Sequence, residues 1–248
     1  MPLDFEELDY QPTPFGDISL RRRREPRAGH RVVYEVKLGD EFLMSSLFTA
    51  SEEALADLGL AALGRDAVDV VVGGLGLGHT AHRALAHPAL GSLLVIEALR
   101  AVIDWHERAL VPLGAALVAD PRCRFVNADF FALAQDTVVG FDSTQPGRRF
   151  DAILLDIDHA PDHWLNAAHA AFYAAAGLAA LRAQLVDDGI FALWSNDPPD
   201  VAFVARLGRT FATVTTHLVP FANPYTGGTS SCTIYIARCA AAEAGAGR

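Results

Sequence analysis

Three glycines and one acid, on two neighbouring apolar segments, are the residues best suited to hold a ligand. The run Asp69-Val-Val-Val-Gly-Gly-Leu-Gly-Leu-Gly78 ends in Gly74, Gly76 and Gly78. Glycine lets the backbone approach a ligand closely, and a helix that starts after such a loop presents free N–H groups. Glu97 ends the next apolar run, where its carboxylate can accept hydrogen bonds from both hydroxyls of a ribose. This spacing predicts a nucleoside-binding site.

Three more acids follow apolar runs further along the chain. Asp129 follows the third run, and Asp156 and Asp158 follow the fourth. Ligands of an open parallel sheet bind beyond the carboxyl ends of its strands, so these side chains are expected near the glycine loop. One acid after a strand is more often a helix cap or a turn residue, but several in register favour a binding site. Asp129 suits the exocyclic amine of an adenine, and Asp156 could accept a proton from an attacking amine.

The loop that starts at Asp156 concentrates polar and aromatic side chains. From Asp156 to Trp164 it carries three carboxylates, two imidazoles and an indole. We interpret His159 as polar lining of a substrate site. Trp164 could pack on a ligand, with a buried core anchor as the alternative. Tyr225, in the turn-rich segment Asn223-Pro-Tyr-Thr-Gly-Gly228, could reach the same site or lie on its rim.

The histidines and cysteines form no familiar metal-binding pattern. The spacing of His159, His163 and His169 matches no zinc motif, and the three cysteines include no CxxC pair. We therefore expect no metal. A chain with this cysteine usage and no signal-peptide pattern is expected in the reducing cytoplasm.

Charge and hydropathy argue against several classes of protein. The formal net charge of −10 argues against a partner nucleic acid and is compatible with a cationic substrate. No apolar run approaches the length of a membrane span, so no membrane partner is expected. Lys37 is the only lysine, and the glycine loop lacks the lysine and Ser/Thr of a P-loop. Nucleoside triphosphate chemistry of that type is therefore not expected.

The candidate residues need a framework of alternating strands and helices. Strands are predicted near 68–74, 92–97, 123–127, 150–155 and 189–194, with helices near 79–86, 99–110, 128–135, 166–185 and 200–208. This alternation indicates a parallel sheet covered on both faces, and final strands near 212–219 and 231–238 predict an antiparallel hairpin at its edge. The expected fold class is α/β, a Rossmann-like S-adenosylmethionine-dependent methyltransferase fold with a mostly parallel seven-stranded sheet.

The first 50 residues have a different pattern. Strands are predicted at 18–24, 31–38 and 42–47, with a turn at Gly39-Asp40, and a helix follows at about 51–63. We therefore divide the chain into a small N-terminal antiparallel β region (1–50), a Rossmann-like nucleoside-binding catalytic domain (51–240) and a disordered tail (241–248).

In order and spacing, these segments resemble the spermidine synthase (polyamine aminopropyltransferase) family. The resemblance runs from about Glu41 to Arg238 and includes the glycine loop, Val95-Ile-Glu97, Asn127-Ala-Asp129 and Phe150-Asp-Ala-Ile-Leu-Leu-Asp156. It continues through Phe172-Tyr, Asp187-Asp-Gly-Ile and the loop that contains Tyr225. The N-terminal β region looks like a shortened version of that family's N-terminal β-domain.

The resemblance implies a transferase of polyamine biosynthesis. In that family an amine attacks the aminopropyl carbon of decarboxylated S-adenosylmethionine and releases methylthioadenosine. Carried over to this chain, Glu97 would hold the ribose and Asp129 the adenine amine. Asp156 would take the proton from the amine, and Asp158 would assist substrate binding. The implied partners are a small-molecule amine and a second copy of the chain in a homodimer.

The chain departs from the family pattern at three places. Leu77 stands where the family's glycine loop carries an aspartate for the aminopropyl ammonium. Ser45-Ser-Leu-Phe48 replaces a Tyr-His-Glu stretch, and Ile157-Asp-His-Ala-Pro161 replaces a Ser/Thr-rich one. Two alternatives stay open. One is a small-molecule methyltransferase that uses intact S-adenosylmethionine, which Leu77 favours; the other is a non-catalytic nucleoside-binding paralogue.

Overall fold

The structure, a computed structural model, describes residues 4–242 as two β-sheets with helices around the larger one. The strands of the first sheet are β1 (Phe5–Thr13), β2 (Gly16–Glu25), β3 (Arg31–Leu38) and β4 (Glu41–Ser45), paired antiparallel in chain order. Strands β2 to β4 lie close to the predicted ones. The sequence did not predict β1, because its residues alternate only between exposed and half-buried positions and give a weak apolar signal.

The second sheet has seven strands and confirms the expected fold class. They are β5 (Val68–Gly73), β6 (Leu90–Glu97), β7 (Cys123–Asn127), β8 (Phe150–Leu155), β9 (Leu185–Ser195), β10 (Thr213–Asn223) and β11 (Gly228–Arg238). Their order in the sheet is β10-β11-β9-β8-β5-β6-β7. Only the pairings of β11 with β9 and β10 are antiparallel among these strands, so the last two strands form the predicted edge hairpin.

The helices of the described residues are α1 (Ala50–Ala61), α2 (His79–Leu85), α3 (Arg100–Glu107), α4 (Gly114–Ala119), α5 (Phe130–Gln135), α6 (Ala170–Tyr173), α7 (Ala175–Ala183) and α8 (Val201–Leu207). The prediction of one continuous helix at 166–185 was wrong. Ala174 is extended and separates α6 from α7. Gly177 permits the close approach of the two helices, since a Cβ there would come within 2.4 Å of the Phe172 carbonyl oxygen. Tertiary packing thus overrides the helix propensity of this alanine-rich segment.

Alternate residues of the central strands supply two hydrophobic cores. In β5, Val70 and Val72 pack into the core that contains Trp105, whereas Val71 packs into the core that contains Phe191. This alternation is the two-residue period of a strand covered on both faces. Because both faces are buried, the carboxyl ends of these strands are held in fixed positions, and the loops that follow them carry the candidate residues.

None of the helices within residues 4–242 is long and apolar enough to cross a membrane. The division of the chain at residues 50 and 240 stays a prediction. Residues 243–248 of the predicted tail lie outside the described residues.

Candidate functional site

A cavity of about 830 Å³ lies between the carboxyl ends of the parallel strands and the first sheet. This volume falls in the range of about 300–1,000 Å³ that small-molecule sites occupy. We call one end the β6 end, which is lined by Glu97, Leu99, Asp129, Phe131 and His169. We call the other the β11 end, which is lined by Phe48, Trp194, Asn196, Phe221, Asn223, Ser230, Ser231 and Cys232.

The glycine loop follows β5 and needs its glycines for two different reasons. Gly74 has φ +92°, and a Cβ there would come within 2.2 Å of the Asp156 carbonyl oxygen. Gly76 has φ +48°, and a Cβ there would meet Sδ of Met44 at 2.5 Å. Both residues line the cavity. Gly78 is instead the N-cap of α2, where a Cβ would clash with Leu117. Gly78 therefore serves the packing of α2 and does not line the cavity.

Glu97 is fixed by the backbone on both sides of its carboxylate. Oε2 accepts a hydrogen bond from the N–H of Leu75 at 3.0 Å, and Oε1 accepts one from the N–H of Leu99 at 2.8 Å. Burial raises the pKa of Glu97, while these backbone N–H groups oppose that rise. Each carboxylate oxygen has a second lone pair, so the group can still accept hydrogen bonds from a ligand diol.

Asp129 combines the two roles that the sequence left open. It is the N-cap of α5, where Oδ1 accepts a hydrogen bond from the N–H of Phe131 at 2.8 Å, and it also lines the β6 end of the cavity. Neither capping bond uses Oδ2, which leaves an acceptor for an exocyclic amine. Asp129 and Glu97 therefore lie at the same end of the cavity, as a nucleoside site requires.

Glu52 and Asp156 place two carboxylates on the cavity wall between the two ends. Glu52, at the start of α1, is only 8% exposed, and Asp156 follows β8. The hydroxyl of Thr80 donates a hydrogen bond of 2.8 Å to Oδ2 of Asp156 and lies 3.3 Å from the carbonyl oxygen of Glu52. No lysine or arginine is among the lining residues that the structure describes. One buried and one half-buried carboxylate without a cationic side chain beside them are suited to a cationic ligand.

Burial and mutual repulsion disfavour the charged forms of this pair. Burial raises the pKa of Glu52, and the nearby charge of Asp156 raises it further. Burial also raises the pKa of Asp156, while the hydrogen bond from Thr80 lowers it. A carboxylate with a raised pKa is a stronger base than one in water, which is the property that a proton acceptor needs.

Asp158 lies behind the cavity wall, in contrast to the expected contact with substrate. It is 1% exposed, and its Oδ2 accepts a hydrogen bond from the hydroxyl of Tyr173 at 2.9 Å. Its Oδ1 accepts one from the N–H of Leu165 at 2.9 Å and lies 2.8 Å from Nδ1 of His169. The carboxylate therefore fixes Nδ1 of His169 as the protonated nitrogen, and Asp158 acts on the cavity through that ring.

His169 lies at the β6 end and stacks on Phe131, with ring centroids 3.8 Å apart and an interplanar angle of 23°. Because Asp158 binds Nδ1, the nitrogen Nε2 is the one left to accept a hydrogen bond from a ligand in the neutral ring. From the sequence, His169 was interpreted, like His159 and His163, as polar site lining or a surface residue rather than a metal ligand.

The three predicted substrate-binding residues have different positions. His159 lines the cavity, and its Nε2 lies 2.8 Å from Oε1 of Glu41. Trp164 donates its indole N–H to the carbonyl oxygen of Pro161 at 2.8 Å and is not among the lining residues. Tyr225 lies on the rim and donates its hydroxyl hydrogen to Glu25 at 2.7 Å. Of these three, only His159 contacts the cavity.

No group of three or more His, Cys, Asp or Glu side chains within residues 4–242 is arranged to hold a metal ion.

Sequence reasoning missed Glu52 and Met44. Glu52 was interpreted as part of a helix start, and it is buried only because α1 packs beside α2 and β11. The sulfur of Met44, from β4, lies 3.2 Å from the backbone nitrogen of Leu77 and covers the glycine loop. Leu77 itself is fully buried in the core. Neither contact has a local signal, since both join segments that are distant in sequence.

Comparison with known proteins identifies the family. The family model described as the spermine/spermidine synthase domain matches residues 49–221. This match covers more than half of the chain, so the chain belongs to the spermine/spermidine synthase family, and the expectation of a transferase is confirmed. No curated protein sequence matches the chain.

Solved structures of spermidine synthases have the same fold. One, a spermidine synthase in complex with the transition state analogue AdoDATO, is 18% identical and has a TM-score of 0.72, with 94% of this chain and 73% of that chain covered. Spermidine synthase from Thermotoga maritima is 18% identical with a TM-score of 0.70, and the coverage is 94% of this chain and 72% of that chain.

Proposed function

We propose that this chain transfers an aminopropyl group from decarboxylated S-adenosylmethionine to a small amine. The observation that carries the proposal is the half-buried carboxylate of Asp156 on the wall of a cavity that also holds Glu97 and Asp129. A nucleoside site and a proton acceptor are the two parts that this reaction needs. Membership in the spermine/spermidine synthase family supports the same activity.

The β6 end binds the adenosine part of the donor in this proposal. Glu97 accepts hydrogen bonds from the ribose hydroxyls, and Oδ2 of Asp129 accepts one from the adenine amine. His169, held by Asp158 and stacked on Phe131, offers Nε2 to the base. The glycines at 74 and 76 leave room for the backbone of the loop to approach the sulfonium side of the ligand.

Glu52 supplies the carboxylate that the glycine loop lacks. Leu77 is buried in the core and cannot bind an ammonium group, whereas Glu52 lines the cavity next to Asp156. We assign Glu52 to the ammonium of the aminopropyl chain. The same carboxylate opposes intact S-adenosylmethionine, because the carboxylate of that molecule would lie against Glu52.

The group-transfer step forms one carbon–nitrogen bond, breaks one carbon–sulfur bond and transfers one proton. The nitrogen lone pair of the neutral amine attacks the aminopropyl carbon next to sulfur, and the carbon–sulfur bond breaks with its electron pair on sulfur. The products are a neutral thioether, methylthioadenosine, and a protonated secondary amine. Asp156 takes the proton from the acceptor nitrogen, which a carboxylate with a raised pKa can do. Alignment of the two reactants supplies most of the acceleration, since the sulfonium is already a good leaving group.

The experiment that tests this proposal is calorimetric titration with decarboxylated S-adenosylmethionine, intact S-adenosylmethionine and methylthioadenosine. We expect the decarboxylated form to bind at least about tenfold more tightly than the intact form, equivalent to about 1.4 kcal/mol. Preference for the intact form would point to methyl transfer, and binding of methylthioadenosine alone would point to a non-catalytic nucleoside-binding protein.

A pair of neighbouring variants tests the assignment of Glu52. Glu52→Gln should weaken decarboxylated S-adenosylmethionine and leave methylthioadenosine unchanged, because only the former carries an ammonium group. Glu53→Gln is the matched control, since Glu53 follows Glu52 in the first turn of α1 but does not line the cavity. Equal weakening of both ligands by Glu52→Gln would contradict the assignment.

The cellular location and the assembly state are also proposals. All three cysteines are free, which suits a chain kept in a reducing cytoplasm. We propose a homodimer, which size measurement in solution tests.

A further inference from the structure

We propose that the acceptor is a monoamine with an uncharged, largely apolar body, rather than a diamine or a longer polyamine. The inference rests on the proposed function and names the substrate class of the same site. It follows from the number of carboxylates in the cavity, from their positions, and from the side chains at the β11 end.

Four carboxylates line the cavity within the described residues: Glu52, Glu97, Asp129 and Asp156. Glu97 and Asp129 lie at the β6 end, where they serve the nucleoside. Glu52 binds the ammonium of the donor, and Asp156 binds the reacting nitrogen of the acceptor. No lining carboxylate is left for a second ammonium group at the far end of the acceptor.

The β11 end carries only uncharged side chains among the lining residues that the structure describes. Phe48 and Phe221 pack together there, with ring centroids 5.4 Å apart, and Trp194 adds an indole. The polar residues of this end, among them Asn196, are amides and hydroxyls. Such a wall fits an alkyl or aryl body, because apolar surface removed from water stabilises a complex.

Two acids that do not line the cavity, Glu25 and Glu41, already have side-chain partners. Glu25 accepts hydrogen bonds from Arg23 and from the hydroxyl of Tyr225, and none of these three residues lines the cavity. Glu41 pairs with Nε2 of the lining residue His159 at 2.8 Å. A second ammonium at the β11 end would therefore lose its hydration without gaining an anionic partner, which is unfavourable.

A matched pair of amines tests the inference. Pentylamine and putrescine have chains of equal length and differ by a terminal methyl group in place of a terminal ammonium. With decarboxylated S-adenosylmethionine as donor, release of methylthioadenosine gives kcat/KM for each amine. We expect kcat/KM for pentylamine to be at least about tenfold higher, since an unpaired ammonium is poorly accommodated in such a wall. An equal or higher value for putrescine would overturn the inference.

A carboxylate added at the β11 end should reverse this preference. Asn196→Asp keeps the shape of the side chain and adds one charge, so it should raise kcat/KM for putrescine relative to pentylamine. Asn166→Asp is the control, because Asn166 lines the cavity near His169. Aspartate can replace it as the N-cap of the short 3₁₀ helix Ala167–His169. The inference fails if Asn196→Asp leaves the ratio unchanged or if both variants change it equally.

Binding separates this inference from the proposed function. If neither amine yields methylthioadenosine, each amine is titrated into the protein saturated with methylthioadenosine. Tighter binding of pentylamine would support a monoamine ligand at this site, even though the proposed transfer reaction would then be wrong. Tighter binding of putrescine, or no binding of either amine, would overturn the acceptor class as well.

Discussion

Oδ1 of Asp158 lies 2.8 Å from Nδ1 of His169, and this pair connects the buried core to the cavity. Asp158 also accepts a hydrogen bond from the buried hydroxyl of Tyr173. The carboxylate thus has a structural part in the core and a positioning part at the β6 end.

Asp158→Ala should destabilise the protein and weaken nucleoside binding together. The hydroxyl of Tyr173 would lose its partner while buried, at a cost of about 1–3 kcal/mol in the free energy of unfolding. His169 would lose the bond that fixes its ring. Denaturant unfolding and titration with methylthioadenosine measure the two effects. Asp162→Ala is the control, since Asp162 is exposed, and its change should stay within about 0.5 kcal/mol.

Asp156→Asn should abolish turnover and preserve nucleoside binding. The amide cannot take a proton from the amine, and loss of a general base typically lowers the rate by about 10²–10⁴-fold. Methylthioadenosine release and methylthioadenosine affinity are measured on the same preparation. Turnover that survives this change would remove Asp156 from the mechanism.

Thr80→Val should move the pH dependence of turnover. The hydroxyl of Thr80 lowers the pKa of Asp156 by donating to its charged form. Without that bond the pKa rises, so a higher pH is needed to deprotonate the base. The acidic limb of the profile of kcat/KM against pH should shift to higher pH. A shift in the opposite direction would mean that Asp156 does not act as the base.

Glu52→Gln should stabilise the folded protein at alkaline pH. Burial raises the pKa of Glu52 from 4.5 to about 8, so between these values the folded state binds more protons than the unfolded state. Stability therefore falls as the pH rises through this window, and the neutral glutamine removes that loss. The difference in Tm between Glu52→Gln and the unmodified protein should grow from about pH 5 to about pH 9. Glu53→Gln serves as the control, and a constant difference would contradict the burial of an ionisable Glu52.

Tyr225→Phe should affect the acceptor amine and spare the donor. The hydroxyl of Tyr225 bonds to Glu25 and receives a bond from Arg23, so it joins the loop between β10 and β11 to the first sheet. Its loss loosens the wall beside Phe48, whose ring lies 5.9 Å from that of Tyr225. We expect a higher KM for the amine and unchanged affinity for methylthioadenosine, and steady-state kinetics with a parallel titration decide this.

The sequence was sufficient for Glu97, Asp129 and Asp156 and insufficient for the residues that α1 and the first sheet bring to the cavity. Glu97 and Asp129 were predictable because each lies at or just after the carboxyl end of a strand in a parallel sheet, and the ends of such strands share one edge. Glu52 and Met44 were not, because their positions depend on how α1 and the first sheet pack against the glycine loop. Asp158 follows the same strand as Asp156 but lies 1% exposed behind the wall, a difference that only side-chain packing decides.

The two ends of the cavity are formed by different elements of the fold, and this separation has a consequence for substrate specificity. In the proposed reaction, the donor half is formed by strand ends of the parallel sheet, whereas the acceptor half is formed by the edge hairpin β10–β11, the end of β9 and the loop before α1. We therefore expect substitutions at Phe48, Asn196 or Phe221 to change the accepted amine without rebuilding the nucleoside site. On the proposed assignment, acceptor specificity can therefore change through a few substitutions at one edge of the fold.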